Sequence, residues 1–162
     1  MTDSLDALAD QLGQLLSARG QRVTCAESCT GGGVAEAITR VAGSSGWFDC
    51  GFVTYANSAK AQVLGVDSAS LAQHGAVSET VVREMAVGAR ARAGADWAVA
   101  TSGIAGPGGG TSDKPVGTVW IGVAGPDDHT GAWCFHFAGN RSGVRKAATE
   151  QALALLIQQI TV

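Results

Sequence analysis

Charge is scarce in this chain, and what there is lies scattered. Charged residues make up 15% of its 162 positions, with 11 Lys and Arg against 14 Asp and Glu, a formal net charge of -3. No basic run extends beyond Arg145-Lys146, so the electrostatic footprint of a general nucleic-acid binder is missing. Long apolar runs are missing as well. None approaches the roughly 20 residues of a membrane span, so no membrane partner is expected. The opening M-T-D-S-L-D-A-L is acidic where an export signal would be basic, which points to a cytoplasmic protein. Cysteine and histidine are few. Cys25, Cys29, Cys50 and Cys134 form no C-x-x-C pair, and His74, His129 and His136 are dispersed. Neither a metal site nor a cofactor is expected from them. The cysteines read as reduced and mostly buried. Repeats, linkers and low-complexity tails are absent too.

What remains is a compact chain, 46% hydrophobic, whose length predicts one domain over residues 1–162 with a substantial core. Leu5, Leu8, Leu12, Leu15 and Leu16 recur at helical spacing, with Asp3 or Ser4 as cap and Gly20 as stop. A strand is predicted over 22–25, a helix over 32–41, and a strand over 47–55. Short helices follow over 58–64 and 68–73, then a longer one over 79–92 capped by Ser78. A buried strand over 97–101 leads into a glycine-rich loop. Strands over 116–123 and 131–137 are joined by a short turn, implying an antiparallel pair. Ser142 is expected to cap the final helix. The order predicts helices packed on a mixed sheet.

Three junctions share one design: an apolar run, then small polar residues, then glycine or a helix. They are V-T-C-A-E-S-C-T-G-G-G (23–33), G-F-V-T-Y-A-N-S-A-K (51–60) and W-A-V-A-T-S-G-I-A-G-P-G-G-G (97–110). In an open α/β sheet such junctions gather at the carboxyl ends of the strands, where ligands bind. Together they supply a serine, a lysine, a tyrosine and many backbone N–H groups. Ser28 precedes Thr30, Gly31 and Gly32, where N–H groups favour an anion or oxyanion; the same residues can simply cap the helix. Lys60 has apolar neighbours in sequence that would let burial lower its pKa toward a general base; the alternative is a solvated surface lysine. Tyr55, the only tyrosine, ends an apolar run, so its ring is expected to be buried. The loop through Ser102, Gly103, Ile104, Ala105 and Gly106 is a candidate anion or carbonyl cradle, or else a long turn. Arg141 and Arg145 flank the last helix start as candidate phosphate ligands, or point into solvent. Cys29 is the rival nucleophile, since thiol pKa values fall near helix starts. The G-x-S-x-G, S-x-x-K and Walker A motifs are all absent.

The segments A-E-S-C-T-G-G, G-S-S-x-W-F-x-x-G-F-V-T-Y-x-N-x-A-K, L-x-x-H-G-A-V-S-E, S-G-I-A-G-P and K-P-V-G-T-V-W, in that order, resemble the CinA C-terminal domain family over nearly the whole chain. Single-domain members of that family are nicotinamide-nucleotide amidohydrolases. The resemblance implies an α/β fold, three-layer α/β/α with a mixed, mostly parallel sheet, and a homodimer or higher homo-oligomer without metal. It implies hydrolysis of the carboxamide of nicotinamide mononucleotide, with Ser28 as nucleophile, Lys60 and Tyr55 as acid–base partners, and Arg141 and the 103–106 loop on the substrate. Asn57 is a further candidate substrate contact in the same motif. The sequence departs from the family pattern at Cys25, Ala56 and Asn140. Two other classes stay open: a pyridine-nucleotide-binding, competence-related module without turnover, and a thiol amidase using Cys29.

Overall fold

The computed structural model describes residues 3–162. The chain runs α1 (Ser4–Arg19), β1 (Val23–Glu27), α2 (Gly33–Ile38), a 3-10 turn (Ser44–Gly46), β2 (Phe52–Val53), α3 (Asn57–Leu64), α4 (Ser68–His74), α5 (Glu79–Ala93), β3 (Trp97–Gly103), β4 (Thr118–Ala124), β5 (Thr130–His136) and α6 (Arg141–Thr161). One sheet holds all the strands in the order β2-β1-β3-β4-β5. β1 lies parallel to both β2 and β3, β3 is antiparallel to β4, and β4 is antiparallel to β5. Strand β4 alone therefore runs against the rest, and the sheet is mixed but mostly of one direction.

Side chains alternate across the strands and feed two separate cores. Val99 and Ile121 meet α1, α2 and α6 through Leu12, Leu16, Val34, Ile38, Leu153 and Leu156. Ala26, Ala98 and Ala100 face the opposite layer, where Leu64, Val81, Val82 and Met85 cover them. This is the three-layer α/β/α architecture. Small residues on the second face let the α5 backbone come close: a Cβ at Gly122 would stand 2.6 Å from the Val82 carbonyl oxygen. The same economy seats α3 on α5, because a Cβ at Gly88 would fall 1.9 Å from the Leu64 carbonyl oxygen. Helix α3 carries Lys60, so this contact sets how deep the lysine lies.

Local signals held where they were self-contained. Asp3 caps α1 and Ser78 caps α5 with side-chain oxygens, and Gly20 ends α1 in the left-handed conformation. Several boundaries moved. The expected strand over 47–55 shrinks to Phe52–Val53. Its first half makes only scattered contacts instead: the Val23 N–H donates to the Trp47 carbonyl and Thr24 Oγ1 to that of Cys50. Helix α2 stops at Ile38, where the Thr39 hydroxyl bonds back to Ala35 and Glu36. Strands β1 and β3 each run two residues further than predicted, to Glu27 and Gly103. Asn140, not Ser142, caps α6 through Oδ1 to the Gly143 N–H. Only Cys25 and Cys29 are buried; Cys50 and Cys134 are exposed.

Candidate active site

The chain leaves β1 through α2 on one face of the sheet to reach β2, then crosses the other face through α3 to α5 to reach β3, so the strands on either side of β1 are reached over opposite faces. The carboxyl end of β1 is therefore the switch point where an open sheet leaves a crevice. Alternation sends the last strand residue and the one after it to opposite layers. Glu27 points to the α2 side and Ser28 to the α3 side.

Ser28 and Lys60 meet there. Lys60 Nζ stands 3.0 Å from Ser28 Oγ and donates to the Tyr55 carbonyl oxygen at 2.8 Å. Ser28 Oγ donates more weakly to the same carbonyl at 3.4 Å. The lysine is 1% exposed. Burial holds its ammonium below the usual lysine range. A neutral amine placed here has the geometry to accept a proton from Ser28 while still donating to the Tyr55 carbonyl.

The tyrosine side chain goes elsewhere. The ring expected in the core is 57% exposed, because β2 is a short edge strand and Tyr55 lies two residues past its end. Its Oη accepts from Arg141 Nη2 at 3.0 Å, and Arg141 Nη1 donates to the Gly106 carbonyl at 2.8 Å. One guanidinium thereby ties the second junction, the glycine loop and the start of α6 together. Beside Arg141 opens a cavity of about 450 Å³ lined by Ala105, Pro107, Val116, Gly139 and Asn140. Asn57 is exposed at the start of α3. In the loop, Ser102 belongs to β3 and is buried, and Gly103 pairs with Val119 in the sheet. The Ile104 N–H is spent on the Thr118 carbonyl. Among the described residues the N–H groups of Gly103, Ala105 and Gly106 have no partner in the 103–106 stretch, since Gly103 and Val119 form a non-hydrogen-bonded pair, so the cradle there is interrupted only at Ile104.

Neither Ser28 nor Thr30 caps α2. That role falls to Glu27, a residue the sequence reading passed over. Its carboxylate is fully buried and collects the N–H groups of Gly32 (3.2 Å), Val34 (2.8 Å) and Ala35 (3.0 Å) and the Thr30 hydroxyl (2.5 Å). Thr30 Oγ1 also meets Thr101 Oγ1 at 2.8 Å. A carboxylate at a helix start is favoured both by the unpaired N–H groups and by the helix dipole. The available signal was an acid ending an apolar strand just before three glycines. Glu27→Gln keeps the shape but exchanges one acceptor oxygen for a donor. It should lower unfolding stability by about 1–3 kcal/mol, measured by urea denaturation; an unchanged midpoint would refute this capping role.

Cys29, the rival nucleophile, is pushed up to about 11 by burial, the reverse of the expected helix-start effect. Burial and the neighbouring Glu27 carboxylate raise Cys25 well above the usual thiol range. Among the described residues no group of three or more His, Cys, Asp or Glu could hold a metal ion. No helix there is long and apolar enough to cross a membrane.

Residues 5–160 match the family described as the CinA C-terminal domain. The chain is 59% identical over 162 residues to a protein of Escherichia coli K12 named nicotinamide-nucleotide amidohydrolase PncC, covering 98% of this chain and 97% of that one. This chain belongs to the CinA C-terminal domain family. A CinA-like protein of Anaeromyxobacter dehalogenans 2CP-C is 56% identical over 151 residues, but the match covers 37% of its length. In such CinA relatives the domain is one part of a longer chain. Among solved structures, the competence/damage inducible protein CihA of Agrobacterium tumefaciens superposes with a TM-score of 0.96 at 39% identity, covering 100% of this chain and 98% of that one.

Proposed function

We propose that this chain is a nicotinamide-nucleotide amidohydrolase that converts nicotinamide mononucleotide and water to nicotinate mononucleotide and ammonia. The observation that carries the chemistry is the buried Lys60 amine, held 3.0 Å from the Ser28 hydroxyl with its pKa lowered by burial. Relatives of 59% identity over nearly their whole length bear that enzyme's name, which supports the substrate. Lys60 takes the Ser28 proton as Oγ attacks the carboxamide carbon. The pyridinium charge of the substrate makes that carbon more electrophilic. The tetrahedral adduct collapses as the protonated lysine returns its proton to the departing nitrogen, releasing ammonia and leaving the acyl group on Ser28. Water, deprotonated by the same lysine, then cleaves the ester and restores the serine.

Tyr55 assists through its main-chain carbonyl, which orients Lys60. Its side chain carries Arg141 toward the substrate. Arg141 spends two donors on Gly106 and Tyr55 and has three left for a phosphate. Gly103 to Gly106 and Asn57 are assigned as further contacts to the same substrate. The proposal includes one working domain, a homo-oligomeric assembly and a cytoplasmic location. Its test is ammonia and nicotinate mononucleotide formation by the purified protein. Stoichiometric appearance of both is expected. Nucleotide binding without ammonia release would overturn the enzyme reading in favour of a binding module.

A further inference from the structure

Arg145 brings a full charge to the first junction, yet its guanidinium is turned onto the protein. Nε donates to the Cys29 carbonyl at 3.2 Å and Nη2 to the Thr30 carbonyl at 3.3 Å. Gly31 makes room for it: at φ +57°, a Cβ there would stand 2.9 Å from Nη2. A trans peptide sends its carbonyl and its N–H to opposite sides. Holding the Cys29 carbonyl therefore directs the Thr30 N–H away from the arginine.

The donors of this turn can be counted. Ser28 N–H bonds to Thr101 O at 3.0 Å, Gly31 N–H to Ser28 O at 3.1 Å, and Gly33 N–H to Thr30 O at 3.0 Å. Those of Gly32, Val34 and Ala35 go to Glu27. Between Ser28 and Ala35, only the N–H groups of Cys29 and Thr30 have no partner among the described residues. Both residues are buried, at 5% and 1% exposure. Buried N–H groups are nearly always paired, so two adjacent unpaired donors directly after a nucleophile point to a ligand oxygen.

Resting on the hydrolase reading, we propose that Arg145 is a positioning residue: its grip on the Cys29 carbonyl keeps the Thr30 N–H, next to the unpaired Cys29 N–H, set as an oxyanion donor for the Ser28 adduct, while its bond to the Thr30 carbonyl steadies the turn. Glu27 acts from the opposite side by absorbing the N–H groups that would otherwise compete. Arg145 touches no reacting atom in this scheme, and it is not a phosphate ligand.

The test compares wild type, Arg145→Ala and Arg145→Lys on nicotinamide mononucleotide. Arg145 lies on the surface of α6 beside an open cavity of about 370 Å³ that Thr30 and Gly33 also line, so a guanidinium ion can enter the space the alanine variant leaves. The expected result is a kcat loss of about 10²-fold, the scale of one lost oxyanion donor. KM should be little changed, Arg145→Lys should recover part of the rate, and guanidinium should partly rescue Arg145→Ala. A raised KM with kcat retained would make Arg145 a phosphate ligand and overturn the assignment. If the wild type itself releases no ammonia, the hydrolase reading has failed, and amide NMR decides the clamp. Arg145→Ala must then shift the Cys29 and Thr30 amide resonances; unmoved resonances would refute the clamp as well.

Discussion

Ser28→Ala should cut kcat on nicotinamide mononucleotide by roughly 10⁴- to 10⁶-fold, the range seen when a nucleophile that acts as part of a unit is removed. The substrate should still bind, because Ser28 contributes one small hydroxyl to a site otherwise built from main chain, Lys60 and Arg141. Fold stability should barely move. The lost group makes one weak donation to the Tyr55 carbonyl, at 3.4 Å, and accepts from Lys60 at 3.0 Å, and Lys60 keeps its stronger bond to the same carbonyl at 2.8 Å. An ammonia assay beside a calorimetric titration of the nucleotide separates the two effects. Retained turnover would move the nucleophile elsewhere. Cys29 is a poor heir: with its thiol pushed up to about 11, almost none is thiolate near neutral pH.

Lys60→Met should be inactive and more stable at once. The rate should fall by about 10²- to 10⁴-fold, as for loss of a positioned general base. Stability should rise because the wild type folds with an amine in a space that disfavours its charge, and Met fills similar volume without one. The sign follows from proton linkage. Burial lowers the folded-state pKa below the ordinary 10.5. Between those two values the unfolded chain binds the proton and the folded chain does not, so wild-type stability rises with pH across that window. The advantage of Lys60→Met should therefore be greatest below the lowered pKa, shrink as pH rises, and vanish above 10.5. Activity should follow the same titration, rising with pH as Lys60 becomes neutral. Urea melts and kcat/KM measured over a pH series check both limbs. A stability difference that stays flat with pH would sink the account of Lys60 as a strained, proton-accepting amine.

That strain fits an active-site residue, since groups needed for chemistry are often kept where stability alone would replace them. It also shows why Lys60 was legible in part only. Its apolar sequence neighbours allowed burial, but a helix as short as α3 decides nothing about depth. Depth comes from α5, whose Gly88 lets the Leu64 carbonyl settle against its backbone. Tyr55 was misread for a related reason. A residue ending an apolar run belongs in a core only if the run is an inner strand, and β2 is a two-residue edge.

What the sequence by itself determined is local and periodic. Capping chemistry at Asp3 and Ser78, the left-handed stop at Gly20, the apolar stripes of α1, α5 and α6, and the pairing of β4 with β5 all depend on residues a few positions apart. The three junctions, with their serine, lysine and glycines, could be read the same way. Tertiary structure alone decided how those junctions meet. Ser28 and Lys60 are 32 positions apart, and Arg145 reaches the Cys29 carbonyl across 116. Glu27 became a cap only when α2 was laid against the end of β1. Hydrogen bonds and desolvation act over a few ångströms of space, and the order of residues along a chain does not specify which distant groups will come within that range.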